Sequence, residues 1–168
     1  MKVKAWAIAC GLAVCLLTQT AVAGPLDDGK AAFERKNYAQ ALQLFRPLAE
    51  QGDARAQHFL GFMYVNGKGV PQDFAEAVKW YRKAAEQGYA GAQNNLGLMY
   101  LKGNGVPLDY VQAYMWFDLA AAGLSVSETG MRGSAANQRD AVAKHMTSAQ
   151  IAEAQRLAKE WLMAHPKK

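Results

Sequence analysis

The feature that most constrains this chain is a repeat with a period of 36 residues. The segment 60–86 aligns with 96–122 without a gap, and thirteen of the 27 aligned pairs are identical, Trp80 and Trp116 among them. A fixed period of this length is typical of stacked supersecondary units. The repeat therefore predicts a solenoid, in which each unit packs against its neighbours.

Each unit is predicted to consist of two helices, because apolar residues recur at helical spacing and Gly and Pro separate the segments. In the second unit, Asp53 and Asp73 are placed to cap the two helices, and the loop 66–71 between them is rich in turn-forming residues. We expect the two loop glycines to adopt backbone angles that side chains resist. The predicted fold is an all-α solenoid of about three helix pairs, with units over about 29–52, 53–88 and 89–123.

The repeat pattern fades after Gly123, and the segment 124–168 is predicted to be a polar connector followed by two capping helices. The first of these helices is expected over about Ser134–Lys144. The second begins at a capping-box pattern, Thr147 followed by Gln150, and continues to Pro166. A solenoid needs such a cap, because its last repeat would otherwise expose an apolar face to water.

The amino-terminal segment 1–23 has the pattern of a secretory signal peptide: two lysines, a short apolar run, and Ala21-Val22-Ala23 as the cleavage site. We expect cleavage after Ala23 and a periplasmic or secreted protein without stable membrane insertion. The alternative is a lipoprotein signal acylated at Cys10 or Cys15, and the residues before each cysteine fit it poorly.

The cysteine and charge inventories exclude several classes of function. Both cysteines lie in the predicted leader, so the exported chain would have no cysteine nucleophile, cysteine-ligated metal or redox pair. Without Lys2 and Lys4 the formal charge falls from +5 to +3, since 17 basic residues then face 14 acidic ones. No basic cluster is interleaved with aromatic residues, so we expect no nucleic-acid partner.

The residue pattern of the repeat resembles that of the Sel-like repeat family, which is related to the tetratricopeptide repeats. The matching motifs are Leu-Gly-x-Met-Tyr, Gly-x-Gly-Val-x-x-Asp, Ala-x-x-Trp-Tyr/Phe and Ala-Ala-Glu-Gln-Gly-x-Ala-x-Ala-Gln, over about residues 29–123. The resemblance implies antiparallel helix pairs stacked into a right-handed superhelix. It also implies an adaptor or scaffold that binds a protein or peptide, and we expect it to be a monomer.

By analogy with tetratricopeptide proteins, the first helix of each pair would line a concave groove. A stripe at helical spacing on the first helix of the second unit, with its counterparts one period later, then supplies the candidate contacts. The two copies differ at these positions, which is expected of binding residues and equally of solvent-exposed positions that are free to drift. The candidate groove residues are Arg55, His58, Phe62, Val65, Asn94, Leu98 and Leu101.

The enzymatic alternative is a β-lactamase-like or peptidoglycan-processing protein, because some relatives in this family carry such activity. No serine is followed by lysine three residues later, which removes the nucleophile and base of that chemistry. The three histidines, His58, His145 and His165, lack metal-ligand or triad spacing. We therefore predict no catalytic residues, no metal and no cofactor. A further alternative is a periplasmic regulator that inhibits a membrane sensor.

Overall fold

The computed structural model describes residues 24–123 and 129–166, which form eight helices and no strand. In chain order, the helices are α1 Pro25–Glu34, α2 Tyr38–Glu50, α3 Ala54–Asn66, α4 Phe74–Glu86, α5 Ala90–Lys102, α6 Tyr110–Gly123, α7 Thr129–Ala143 and α8 Ser148–Ala164. Each helix from α1 to α6 packs against the next one, which is the nearest-neighbour arrangement of a solenoid. The all-α solenoid prediction is confirmed.

The predicted helix boundaries follow from capping side chains. The Asp53 carboxylate accepts hydrogen bonds from the backbone N–H groups of Arg55 and Ala56 and so begins α3. Asp73 caps α4 in the same way, by accepting from the backbone N–H of Glu76. At these helix starts, each carboxylate satisfies N–H groups that have no partner within the helix.

Glycines at repeated positions let the helices and loops approach closely. A Cβ on Gly61 would lie 2.5 Å from the Tyr81 ring, and a Cβ on Gly97 would lie 2.7 Å from the Phe117 ring. The loop glycine Gly105 has φ +71°, and a Cβ there would lie 2.4 Å from the backbone of Phe74. The two loop glycines of the second unit, Gly67 and Gly69, have φ +61° and +72°, so the expected unusual backbone angles are confirmed. At Gly69, as at Gly105, the angle coincides with a close contact to the preceding repeat.

The last two helices cover α6. Both α7 and α8 pack against it, and α6 consequently has buried side chains at every position from Ala113 to Phe117. The predicted capping box at the start of α8 is present, with Thr147 and Gln150 as its two members. Helix α7 begins at Thr129, five residues before the predicted start.

The predicted leader, residues 1–23 with both cysteines, and residues 124–128 of the predicted connector lie outside the described residues. Among the helices of the described part, none combines the length and the hydropathy needed to cross a membrane.

Candidate partner-binding site

The candidate groove residues lie on α3 and α5, the first helices of two successive pairs. The helices are held at equivalent positions by the residues that agree between the repeats, such as Leu60 and Leu96, both of which are fully buried. The seven candidate residues therefore form a row of side chains on two helices with equivalent positions. Chemical differences along this row come from the side chains and not from the backbone that carries them.

Phe62 is the one large apolar side chain of the row that is exposed, with 38% of its surface accessible. Its ring packs edge-on against Phe33 of α1, with the two centroids 5.8 Å apart. Phe33 also contacts Tyr38 and Phe59, and Phe59 stacks on the buried Phe45 at 4.7 Å. The exposed ring is thus the outer member of an aromatic cluster that reaches the core, which holds it in place.

His58 is half-buried between the second and third units. The Asn95 side-chain amide Nδ2 lies 3.0 Å from its Nε2, so Nε2 accepts and the ring proton is assigned to Nδ1. Nδ1 is buried and has no hydrogen-bond partner among the described residues. Burial lowers the pKa of His58 to about 4, so the ring is neutral at neutral pH.

Asn95 joins His58 to a second buried group, because its side chain also bonds the Tyr81 hydroxyl. Burial raises the pKa of that hydroxyl well above its ordinary value, so it stays protonated. The three side chains form one polar network inside an otherwise apolar interface. Helical spacing does not identify Asn95 as a functional candidate, because Asn95 lies beside the stripe of candidate residues and not within it.

The other candidates fall into two groups. Arg55 is exposed and forms an ion pair with Asp53 at 3.3 Å. Asn94 is half-buried, and its covered Oδ1 has no hydrogen-bond partner in the part of the chain that the structure describes. The remaining three are partly buried and pack against core residues, although the row was expected to lie outside the packing set. These are Val65, Leu98 and Leu101. The role of all seven residues in binding stays a prediction.

The histidines and the acidic side chains are scattered over the part of the chain that the structure describes. No group of three His, Cys, Asp or Glu side chains there could hold a metal ion. The ring of His145 stacks on Tyr110 at 5.7 Å, and that of His165 stacks on Trp161 at 4.3 Å. The row on α3 and α5 offers an exposed aromatic ring, an arginine and buried amide and imidazole groups, which suits contact with a polypeptide.

Comparison with known protein families shows which family the chain belongs to. The model of the Sel1 repeat matches residues 19–53, 54–89 and 90–123, which is more than half of the sequence. The chain belongs to the Sel1 repeat family. Sel1 repeat proteins generally mediate protein–protein interactions as adaptors or scaffolds and are typically not enzymes.

Two solved structures resemble this Sel1 repeat protein. One is a protective antigen present in uropathogenic Escherichia coli strains and displays an SLR fold; it is 34% identical, with a TM-score of 0.76 over 84% of this chain and 30% of that one. The other is a Sel1 repeat protein from Oxalobacter formigenes, 39% identical, with a TM-score of 0.56 over 60% of this chain and 40% of that one. The chain thus spans less than half the length of either. No curated protein matches the chain.

Proposed function

We propose that this Sel1 repeat protein is an exported adaptor that binds a protein or peptide segment along the row of side chains on α3 and α5. The supporting observation is Phe62, which is exposed and yet held by the aromatic cluster beneath it. A large ring whose orientation is already restricted loses little side-chain entropy on binding, so it is a suitable anchor for a partner. Binding, and not catalysis, is the activity that this surface suits.

The neighbouring polar groups support the same proposal. Arg55 can pair with a carboxylate of the partner, since it lies at the surface with a single acidic neighbour at 3.3 Å. Asn94 could fix a partner's backbone through amide hydrogen bonds after a small side-chain movement exposes its Oδ1. Together with Phe62, these residues would contact an extended peptide or a partner helix by apolar and hydrogen-bonding contacts.

The proposal places the protein in the periplasm or outside the cell, after cleavage following Ala23. The leader pattern of residues 1–23 supports this localisation. Cell fractionation and amino-terminal sequencing of the protein from its native host test it. An amino terminus at Gly24 is the expected result, and a cytoplasmic protein that retains Met1 would contradict it.

The binding surface is tested by a photo-reactive phenylalanine analogue at position 62 in the native host, because the analogue keeps the aromatic ring. Position 108 is the matched control, since Leu108 is an exposed apolar side chain, 54% accessible, in the loop before α6. We expect a defined cross-linked partner from position 62 and not from position 108. Identical products from both positions, or none from position 62, would contradict the proposal.

A second experiment separates binding from folding. Phe62→Ala and Asn94→Ala should each weaken capture of that cross-linked partner, while thermal unfolding reports whether the scaffold is intact. Leu108→Ala again serves as the control for loss of an exposed apolar group. Unchanged capture by both groove variants would remove these residues from the site.

A further inference from the structure

Within the second repeat, an amide pair joins the start of α3 to the end of α4. Gln57, which is 4% exposed, donates from Nε2 to the backbone carbonyl of Ala49 at 3.0 Å. Its Oε1 accepts from the Gln87 side-chain Nε2 at 2.8 Å. Both ends of the Gln57 amide are therefore satisfied, as a buried amide requires.

The equivalent amide pair in the third repeat, 36 residues later, is incomplete. Gln93 is 2% exposed and donates to the carbonyl of Ala85 at 3.2 Å, so it repeats the position and the first contact of Gln57. Its Oε1 has no hydrogen-bond partner among the described residues. The residue that matches Gln87 is Gly123, and a Cβ there would lie 3.7 Å from Gln93 Oε1. The third repeat thus keeps the acceptor and lacks the donor side chain.

Gln93 and Gly123 line a pocket of about 950 Å³. The end of α8 forms its other wall, with Trp161 and Leu162 opposite Leu119 of α6. Trp161 is fixed between the edge contact with Trp116, at 6.2 Å between ring centroids, and the stacked ring of His165. A pocket of this size with apolar walls and few polar groups is typical of ligand sites.

The charge of the lining restricts the ligand. Among the described residues that line the pocket, Glu86 is the one carboxylate and none is a lysine or arginine. Just beneath the wall lies a carbonyl oxygen that has no partner among the described residues, and the wall carries a negative charge beside apolar carbon. A ligand group with N–H donors on an apolar stem fits these features, whereas a carboxylate has no proton to donate to that oxygen.

We propose that this pocket, the α6–α8 pocket, binds a side chain of a peptide partner that ends in N–H donors, as glutamine and arginine do. The donor would bond Gln93 Oε1, as Gln87 bonds Gln57 within the chain itself. Because Oε1 is covered in the free protein, binding requires a small displacement of the wall near Gly123. The pocket shares no residue with the candidate groove on α3 and α5, so the proposal does not depend on the function proposed above.

The test uses alanine-based heptapeptides with a central Gln, Arg, Leu or Glu, titrated into the protein. Tryptophan fluorescence gives the affinity, and the NMR shifts of the Gln93 amide and Trp161 indole give the site. We expect the Gln and Arg peptides to bind about five- to tenfold more tightly than the Leu peptide, the factor expected for one hydrogen bond, and the Glu peptide most weakly. Equal affinities, or no binding by any peptide, would overturn the proposal.

Two variants locate the effect. Gly123→Gln supplies the missing N–H donor from the protein itself, so peptide binding should be lost. The fold should be kept, because the added Cβ makes only ordinary van der Waals contacts. Gln93→Met should abolish the preference for Gln over Leu. Gln57→Met is its matched control, because it loses the equivalent carbonyl contact outside the pocket and should keep that preference. Undiminished binding to Gly123→Gln would refute the assignment.

Discussion

The second and third repeats share one scaffold and differ in how their polar groups are satisfied. In the second, Tyr81 and His58 are connected through Asn95, and Gln57 is paired with Gln87. In the third, Phe117 stands in place of Tyr81, and Gln93 Oε1, like His58 Nδ1 in the second, has no hydrogen-bond partner among the described residues. Apolar packing and several hydrogen bonds therefore repeat with the period, such as that from Gln57 to Ala49 and that from Gln93 to Ala85, whereas a few other hydrogen bonds depend on positions where the copies differ. The following predictions test this contrast.

The largest effect on stability is expected at a position where the second and third repeats carry the same residue. Gly105→Ala would drive a Cβ to 2.4 Å from the Phe74 backbone at a positive φ, and should destabilise the protein by about 3 kcal/mol or more. Gly88→Ala is the matched control, since its φ is +80° but nothing lies within 4 Å of the added Cβ. Gly88→Ala should destabilise the protein by about 1–2 kcal/mol, which is the conformational cost of placing a side chain at a positive φ. Urea unfolding gives the free energy of unfolding of both variants. Equal losses of stability would show that the close contact at Gly105 is not what makes its substitution costly.

The buried His58 predicts a loss of stability on acidification. Its pKa is lowered from 6.5 to about 4 in the fold, so the unfolded chain binds the proton more tightly. Stability is therefore complete above pH 6.5, falls as pH drops from 6.5 towards 4, and loses about 2–3 kcal/mol in total.

His58→Asn, which introduces the residue found one period later, is the control for this pH dependence. Its unfolding free energy should change little between pH 7 and pH 5. The lowered pKa of Asp53 acts below its ordinary value of 3.8 and therefore lies outside this window. A wild-type protein with flat stability between pH 7 and pH 5 would show that His58 is not buried as described.

Exchanging the ring residues probes the network directly. Tyr81→Phe removes the hydroxyl that bonds Asn95 and should cost about 1 kcal/mol. Phe117→Tyr places a hydroxyl in the apolar cluster around Ala113 and Val142, and should cost about 2 kcal/mol. Chemical denaturation of the two variants gives the comparison. A stabilising Phe117→Tyr would mean that the third repeat can satisfy the added group.

The smallest effects are expected at the amide pair. Gln87→Gly removes the donor to Gln57 and should destabilise by about 1 kcal/mol, whereas Gly123→Gln should stabilise by about 0.5–1 kcal/mol. The shifts in thermal midpoint should therefore have opposite signs. If both variants destabilise, the two positions are not equivalent in the fold.

Much of the scaffold was predictable, because helix packing of this kind depends on periodicity. The stripe containing Leu60 and Leu96, the cap Asp53 and the capping box at Thr147 are local patterns, and each appears where expected. The start of α7 was predicted five residues late, because Gly130 and Gly133 near its beginning are poor helix formers and are more typical of a connector. The groove was less predictable: helical spacing selected Val65, Leu98 and Leu101 without showing that neighbouring helices partly cover them.

The sequence by itself determined that this chain is a stack of helix pairs, since a 36-residue period, glycines at fixed positions and capping side chains act over short distances along the chain. Only the tertiary structure decided which polar groups find partners. The partner of His58 lies 37 residues away, and that of Gln57 lies 30 residues away. Such pairings require specific side chains to meet across helices, and no local pattern encodes that meeting. The Gln93 oxygen beside Gly123 is therefore visible only in the folded molecule.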